Sequence, residues 1–189
     1  MPTLLLASGS PRRKELLHQV GLPFQVVKPD VDETMVDSTD PAQLVSELAR
    51  RKGEAVTIED DQVVISADTI VSFQDQILTK PDNRADAFAK LAQLRGKWHK
   101  VYTGVMIRSL TKQRTFMNET SVQFWDVSDK VLNDYLATGE WKDKAGGYGI
   151  QSSGAVFVKQ LIGDYYNVVG LPLSVVVREL QTFGISPFQ

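Results

Sequence analysis

The residues best suited to chemistry begin at Ser8-Gly9-Ser10-Pro11-Arg12-Arg13-Lys14, directly after the apolar run Leu4-Leu5-Leu6-Ala7. The run reads as a buried strand and the following residues as a helix start. Ser10 suits the N-cap, where its hydroxyl accepts a backbone N–H, and Pro11 suits the first helical position. A small-residue turn running into a helix N-terminus aims free N–H groups and a partial positive charge at one spot. Arg12, Arg13 and Lys14 add cations there. In a first helical turn they oppose the macrodipole, and a bound anion would offset that cost. A phosphate site and a solvated basic helix start both fit this stretch.

Two carboxylates are candidates to act on such an anion. Val63-Val64-Ile65-Ser66-Ala67 reads as a second buried strand, ending in Asp68-Thr69. A carboxylate at the carboxyl end of a buried strand is costly unless it serves a purpose, and that edge is where open α/β sheets bind ligands. Glu33 lies in the acidic loop Pro29-Asp30-Val31-Asp32-Glu33. The polar residues then sort into two kinds: Ser8, Arg12, Arg13, Lys52 and Lys80 as donors, and Glu33 and Asp68 as carboxylates able to hold a hard cation and a water. Hydrolysis of a phosphoanhydride needs both kinds, cations for the charge growing on phosphate oxygens and a carboxylate or metal-bound water to supply the nucleophile. Spacing alone does not bring these positions together.

The elements that must position them alternate strand and helix at the start and turn to long hairpin strands in the middle. A helix from Pro11 to about Val20 is broken at Gly21-Leu22-Pro23, and a strand follows at Phe24-Gln25-Val26-Val27. Asp40-Pro41-Ala42-Gln43 opens a helix to about Thr57 with Leu44, Leu48 and Ala55 as its apolar stripe. Ile70 to Leu78 reads as a hairpin, and Asp82 as the cap of a helix ended by Gly96. Strands are expected over His99–Leu110 and Arg114–Val127, and a helix from Ser128 to about Thr138. A glycine-rich loop spans Trp141–Gln151. Ala155–Leu161 and Tyr165–Val168 read as strands, and the terminal helix runs to about Phe183. The pattern predicts an α/β fold with a mixed, elongated sheet. His99 is expected to bond backbone between strands, and Trp98, Trp125 and Trp141 to lie in the core or an interface.

Composition narrows the function classes. A chain of 189 residues with 21 basic and 23 acidic side chains has net charge -2, so no global attraction draws it to nucleic acid. Cysteine is absent, which excludes disulfides, thiolate catalysis and cysteine-ligated zinc. Two histidines, His18 and His99, argue against a histidine-rich metal site. No signal peptide or membrane-length apolar run is evident, and a cytoplasmic, soluble protein is expected.

Ser8-Gly9-Ser10-Pro11-Arg12-Arg13, Glu33, Lys52, Ala67-Asp68-Thr69, Lys80-Pro81, Asp143-Lys144-Ala145-Gly146-Gly147-Tyr148-Gly149-Ile150-Gln151 and Val169-Gly170-Leu171-Pro172 resemble the Maf family, in order and across essentially the whole chain. That resemblance implies one Maf-like domain over residues 1–189. Its fold would be similar to the inosine triphosphate pyrophosphatases, an elongated mixed sheet flanked by helices with a cleft between two lobes, and it would be a homodimer. It implies hydrolysis of a nucleoside triphosphate to monophosphate and pyrophosphate with a divalent cation, magnesium or manganese. By the same resemblance Asp68 would be the general base and share the metal with Glu33. Ser8, Arg13, Lys52 and Lys80 would cradle the phosphates. Arg12, Thr69 and Gln151 match the positions for base choice in the subfamily acting on dTTP and UTP, possibly also on modified uridine nucleotides. The family is associated with inhibition of septum formation and with house-cleaning of modified nucleotides. A nucleotide-sensing regulator of septation that needs no turnover is the alternative; retention of both Asp68 and Glu33 favours the enzyme. Thr79 before Lys80 and Gly53 after Lys52 depart from the family's usual pattern.

Overall fold

The computed structural model describes residues 2–33, 36 and 38–188. Among them seven strands form one mixed sheet in the order β2-β1-β3-β5-β6-β7, with β4 paired to β3. The strands are β1 (Thr3–Ala7), β2 (Gln25–Val27), β3 (Gln62–Phe73), β4 (Gln76–Leu78), β5 (Trp98–Arg108), β6 (Gln113–Phe124) and β7 (Val158–Ile162). The helices are α1 (Pro11–Gln19), α2 (Pro41–Glu54), α3 (Arg84–Leu94), α4 (Asp129–Ala137), α5 (Tyr165–Val169) and α6 (Leu173–Gln181). The mixed α/β class expected from the sequence is the one observed. Among the described residues no helix is long and apolar enough to cross a membrane.

The chain divides into two compact units. The first holds residues 1–68, 103–118 and 170–189, and the second holds 69–102 and 119–169. In the first, β1 runs parallel to β2 and to the start of β3, with Leu6 opposite Ile65. Leu4 to Ala7 and Val63 to Ile65 are all buried, which accounts for their unbroken apolar runs. Helix α2 lies against the sheet at close range. A Cβ on Gly104 of β5 would sit 2.3 Å from the Val45 carbonyl oxygen, so helix and strand backbones meet there and only glycine fits. Ser66 Oγ donates to the Ala49 carbonyl at 2.6 Å, and Arg108 Nε donates to the Gly53 carbonyl at 3.2 Å. Arg108 also donates to the Val56 carbonyl, so a cation closes the negative end of the helix. Gly53 is closely fitted as well: a Cβ would lie 2.7 Å from both Met106 Sδ and Ser66 Oγ, side-chain atoms that would have to shift.

Several expectations are corrected. Asp68 does not end a strand, because β3 continues to Phe73. Pairing with β1 stops at Ile65, and Val71 to Phe73 pair antiparallel with β4, so Asp68 sits where the strand changes partners. The buried face of α2 is Val45, Leu48, Ala49 and Gly53, while Ala55 is exposed. Asn83, not Asp82, caps α3, accepting from the Asp86 N–H at 2.9 Å. Ser10 stands at the N-cap of α1 without a side-chain cap bond; its N–H donates instead to Ser8 Oγ at 3.2 Å.

In the second unit, residues 153–157 form a 3₁₀ turn before β7, where a strand is expected. Tyr165–Val169 is a helix despite its aromatic and β-branched composition. Asp164 Oδ1 accepts the Tyr166 N–H at 2.8 Å, and buried Asn167 Nδ2 donates to the Val101 carbonyl and Thr120 Oγ1. Those fixed partners override strand propensity. His99 bonds a side chain, with Nε2 2.7 Å from the Tyr148 hydroxyl, and its ring packs edge-on against Phe124 and Tyr148. Trp141 is core, whereas Trp98 and Trp125 are exposed.

Candidate active site

The first unit gathers most of the polar residues singled out above. Arg13 occupies the first turns of α1 and is buried at 8 % exposure, unusual for a guanidinium. Its Nε donates to the Gly170 carbonyl at 2.8 Å, and one terminal nitrogen donates to Ser8 Oγ at 3.2 Å. Two of its donors are thereby fixed, which sets the plane and direction of the whole fork. Burial lowers its pKa to about 10, opposed by the Asp68 charge, reinforced by Arg12 and opposed again by Glu33. It stays cationic at neutral pH. Ser8 is thus doubly engaged, accepting from Arg13 and from the Ser10 N–H. With Ser8 in that role, Ser10 gives the α1 N-terminus no side-chain cap bond.

The second cluster centres on Lys52. Its ammonium lies 2.6 Å from Asp68 Oδ1 and 2.9 Å from Glu33 Oε1. The side chains of Lys52 and Asp68 are each 12 % exposed, whereas Glu33 is 54 % exposed. One buried carboxylate and one mobile-solvent carboxylate therefore converge on a single cationic point. Helix α2 holds Lys52 there through the close contacts at Gly104, Gly53 and Ser66, and β3 supplies Asp68 at its change of partners. Of the acids in the Asp30–Glu33 loop, it is Glu33 whose carboxylate meets Lys52. Among the described residues no group of three or more His, Asp or Glu is arranged to hold a metal.

Thr69, Lys80 and Gln151 belong to the second unit. Thr69 is half-buried in β3, and Lys80 and Gln151 are exposed. The segments carrying Lys80 and Gln151 are joined. The Gly146 N–H donates to the Thr79 carbonyl at 3.3 Å, and a Cβ on Gly147 would lie 3.3 Å from Pro81 Cγ. Gly146 and Gly147 adopt φ of 68° and 84°, a left-handed region that glycine enters freely. The glycine pair is thus a close-packed turn against the Lys80 hairpin end. Arg12 is half-buried beside Arg13 in α1.

Sequence reasoning assigned no part to the Gly170 carbonyl, which aims Arg13 from 157 residues away. The only signal for it was the Val169-Gly170-Leu171-Pro172 motif. Gly104 carries no signal in the sequence and Gly53 shows there only as a departure from the family pattern, since the close fit of both arises from packing of α2 on β3 and β5.

The family model for Maf-like proteins matches residues 3–183. A Bacillus anthracis relative named dTTP/UTP pyrophosphatase is 47% identical over 186 residues, covering 98% of this chain and 97% of its own. A Bacillus cereus relative of the same name is 48% identical over 98% of this chain and 92% of its own. Among solved structures, a HAM1 protein from Coxiella burnetii matches with a TM-score of 0.52 at 11% identity, over 97% of this chain and 98% of that one. At that identity the likeness is one of fold. Given a family match through both units and near-half identity along almost the full length, the chain that gathers Ser8, Arg13, Lys52, Glu33 and Asp68 belongs to the Maf family.

Proposed function

We propose that this protein hydrolyses dTTP and UTP to the nucleoside monophosphate and pyrophosphate. The names of its relatives support the substrate class. The observation that carries the chemistry is the Lys52 ammonium shared by Asp68 and Glu33 in the same unit as the buried, doubly anchored Arg13. Water adds to phosphorus, the bridging oxygen leaves with the other phosphoryl group, and Asp68 takes the proton that the water gives up. Arg13, Lys52, Lys80 and the Ser8 hydroxyl meet charge that develops on phosphate oxygens, and Arg13 does so without reorganising because its fork is already fixed. Arg12, Thr69 and Gln151 face the choice of base. A uracil or thymine edge offers carbonyl acceptors and an N3–H donor, and an amide such as Gln151 matches both kinds.

A divalent cation, magnesium or manganese, fits the donor set. Both carboxylates offer hard oxygen, and they already converge on one positive charge. Magnesium in particular is held by one or two carboxylates together with substrate phosphates, not by a full protein cage. Glu33 and Asp68 would hold it, and when bound it would neutralise phosphate charge and acidify water. The same reading takes the protein as a cytoplasmic homodimer, an expectation from the family that sedimentation would check.

Pyrophosphate release over a panel of nucleoside triphosphates, with and without magnesium, tests the proposal. Expected are equal yields of pyrophosphate and monophosphate, metal-dependent, with dTTP and UTP turned over fastest. Release of orthophosphate, or equal rates for all bases, would overturn it.

A further inference from the structure

Gln151 sits in a loop whose backbone closes on itself. Ser152 donates to the Gly149 carbonyl through both its N–H and its hydroxyl at 3.3 Å, and the Ala155 N–H donates to the Ser152 carbonyl at 3.0 Å. A Cβ on Gly154 would lie 2.6 Å from the Gly149 oxygen, so the two sides of the loop are in backbone contact. Ahead of Gln151 the loop is braced by Tyr135, whose hydroxyl donates to the Gly147 carbonyl at 3.0 Å, and by the buried Tyr148–His99 bond. Behind it the brace is a single carboxylate. Glu140 Oε2 accepts the Ser153 N–H at 3.1 Å, and hydrogen bonds from the Ser152 and Ser153 side chains hold its carboxyl below the usual range. Glu140 is fixed in turn, its N–H donating to Thr138 Oγ1 at 3.2 Å and its carbonyl accepting from Lys144. It stands just past α4 and carries the loop's tail back to that helix.

We infer that Glu140 is a positioning residue for base selection: its carboxylate clamps the Ser153 N–H and so sets the course of the backbone that carries Gln151. A carboxylate suits the task because it only accepts, and its two oxygens offer several lone-pair sites to the donors beside it. Discrimination by hydrogen bonding depends on the direction in which Gln151 presents its amide. Uracil presents an acceptor at position 4 where cytosine presents an amino donor. A glutamine on a loop free to swing could offer either end of its amide; one whose backbone is held reaches the base from a single direction.

The inference rests on Gln151 reading the base, so the experiment separates the two claims. The ratio of kcat/KM for UTP over CTP is measured in wild type, Gln151→Ala, Glu140→Ala, Glu140→Gln and the double alanine variant. Being a ratio, it is unaffected by any loss of folded protein. Gln151→Ala should collapse the discrimination. Glu140→Ala should lower it by about 3- to 10-fold, the scale of releasing one immobilised side chain. Glu140→Gln, which keeps an acceptor oxygen, should restore part of it, and the double variant should lose no more than Gln151→Ala alone. Full discrimination in Gln151→Ala would overturn the reading of Gln151 and the inference with it. Collapse in Gln151→Ala with wild-type discrimination in Glu140→Ala would overturn the inference alone.

Discussion

Replacing Asp68 by asparagine separates turnover from binding and folding. The wild-type Asp68 Oδ1 accepts from Lys52 at 2.6 Å, and both side chains are nearly buried. Truncation to alanine would leave the largely buried Lys52 ammonium paired to the exposed Glu33 and no longer to Asp68, a loss of about 3–5 kcal/mol for a broken buried pair. Asparagine keeps the shape and one acceptor oxygen, so Lys52 retains a hydrogen bond while its pairing with Glu33 at 2.9 Å is untouched. The melting temperature should therefore move little. Measured without divalent cation, where Asp68 has no metal to hold, removing a negative charge from a site built for a triphosphate should leave affinity unchanged or raise it. What asparagine cannot do is take a proton from water at neutral pH. Loss of a general base costs about 10²- to 10⁴-fold in rate, or about 3–5 kcal/mol of barrier. Single-turnover hydrolysis of UTP at saturating enzyme, calorimetric titration with a non-hydrolysable triphosphate and a thermal melt give the three readouts. A turnover rate within tenfold of wild type would refute the assignment. So would a rate loss matched by an equal loss of metal-free affinity, since that would make Asp68 a group that binds the triphosphate itself.

Gly104→Ala should be destabilising by about 1–3 kcal/mol or more in urea unfolding, because the obstacle is Val45 backbone at 2.3 Å and backbone cannot rotate away. Gly53→Ala should cost less, since Met106 can shift and alanine gains helix propensity; equal losses in the two would argue that α2 does not rest on β5 at Gly104. His99 has its pKa lowered to about 3 by burial, so the folded state keeps it neutral while the unfolded chain takes up a proton below about 6.5. Its contribution is present above pH ~6.5 and falls by about 1.4 kcal/mol per pH unit as acid approaches the folded value. His99→Gln, which keeps a polar partner for Tyr148, should flatten the acid limb of a stability profile between pH 4 and 6, roughly the window those values define, and an unchanged slope would refute this. Lys52→Met should tighten manganese binding in the absence of nucleotide, read by electron paramagnetic resonance, because the ammonium no longer competes for Asp68 and Glu33. Weaker binding would show that these carboxylates do not form the site.

Local signals carried a good part of the molecule. Proline at the first position of α1 and α2, the Asp40 and Ser128 caps, and the unbroken apolar runs of β1 and β3 all announce themselves within a few residues. The pairing of Ser8 with Arg13 is of the same kind, five residues apart across a turn. What stayed hidden depends on neighbours distant in sequence. Asp68 was recognisable as a costly carboxylate, but the continuation of β3 beyond it follows from β4 taking over as partner. The choice of Glu33 from three acids needed Lys52 on another element. Tyr165–Val169 has the composition of a strand, and only the bonds from Asp164 and Asn167 show why it coils.

The two halves of the cationic machinery differ in how they are held, and that difference has consequences for the reaction. Arg13 is rigid: buried, twice hydrogen-bonded, and already directed before any phosphate arrives. Lys52 is held only by carboxylates, one buried and hydrogen-bonded and one exposed. A fixed fork preserves direction whether or not substrate is bound, which suits charge that appears only as the bridging bond breaks. An ammonium on a flexible stem can instead exchange partners, leaving Asp68 free to face water once phosphate oxygens draw Lys52 away or a divalent cation displaces it. Under the proposed mechanism the Lys52–Asp68 bond would be the resting arrangement of the base. Its release on substrate binding would make Asp68 available only when there is something to hydrolyse.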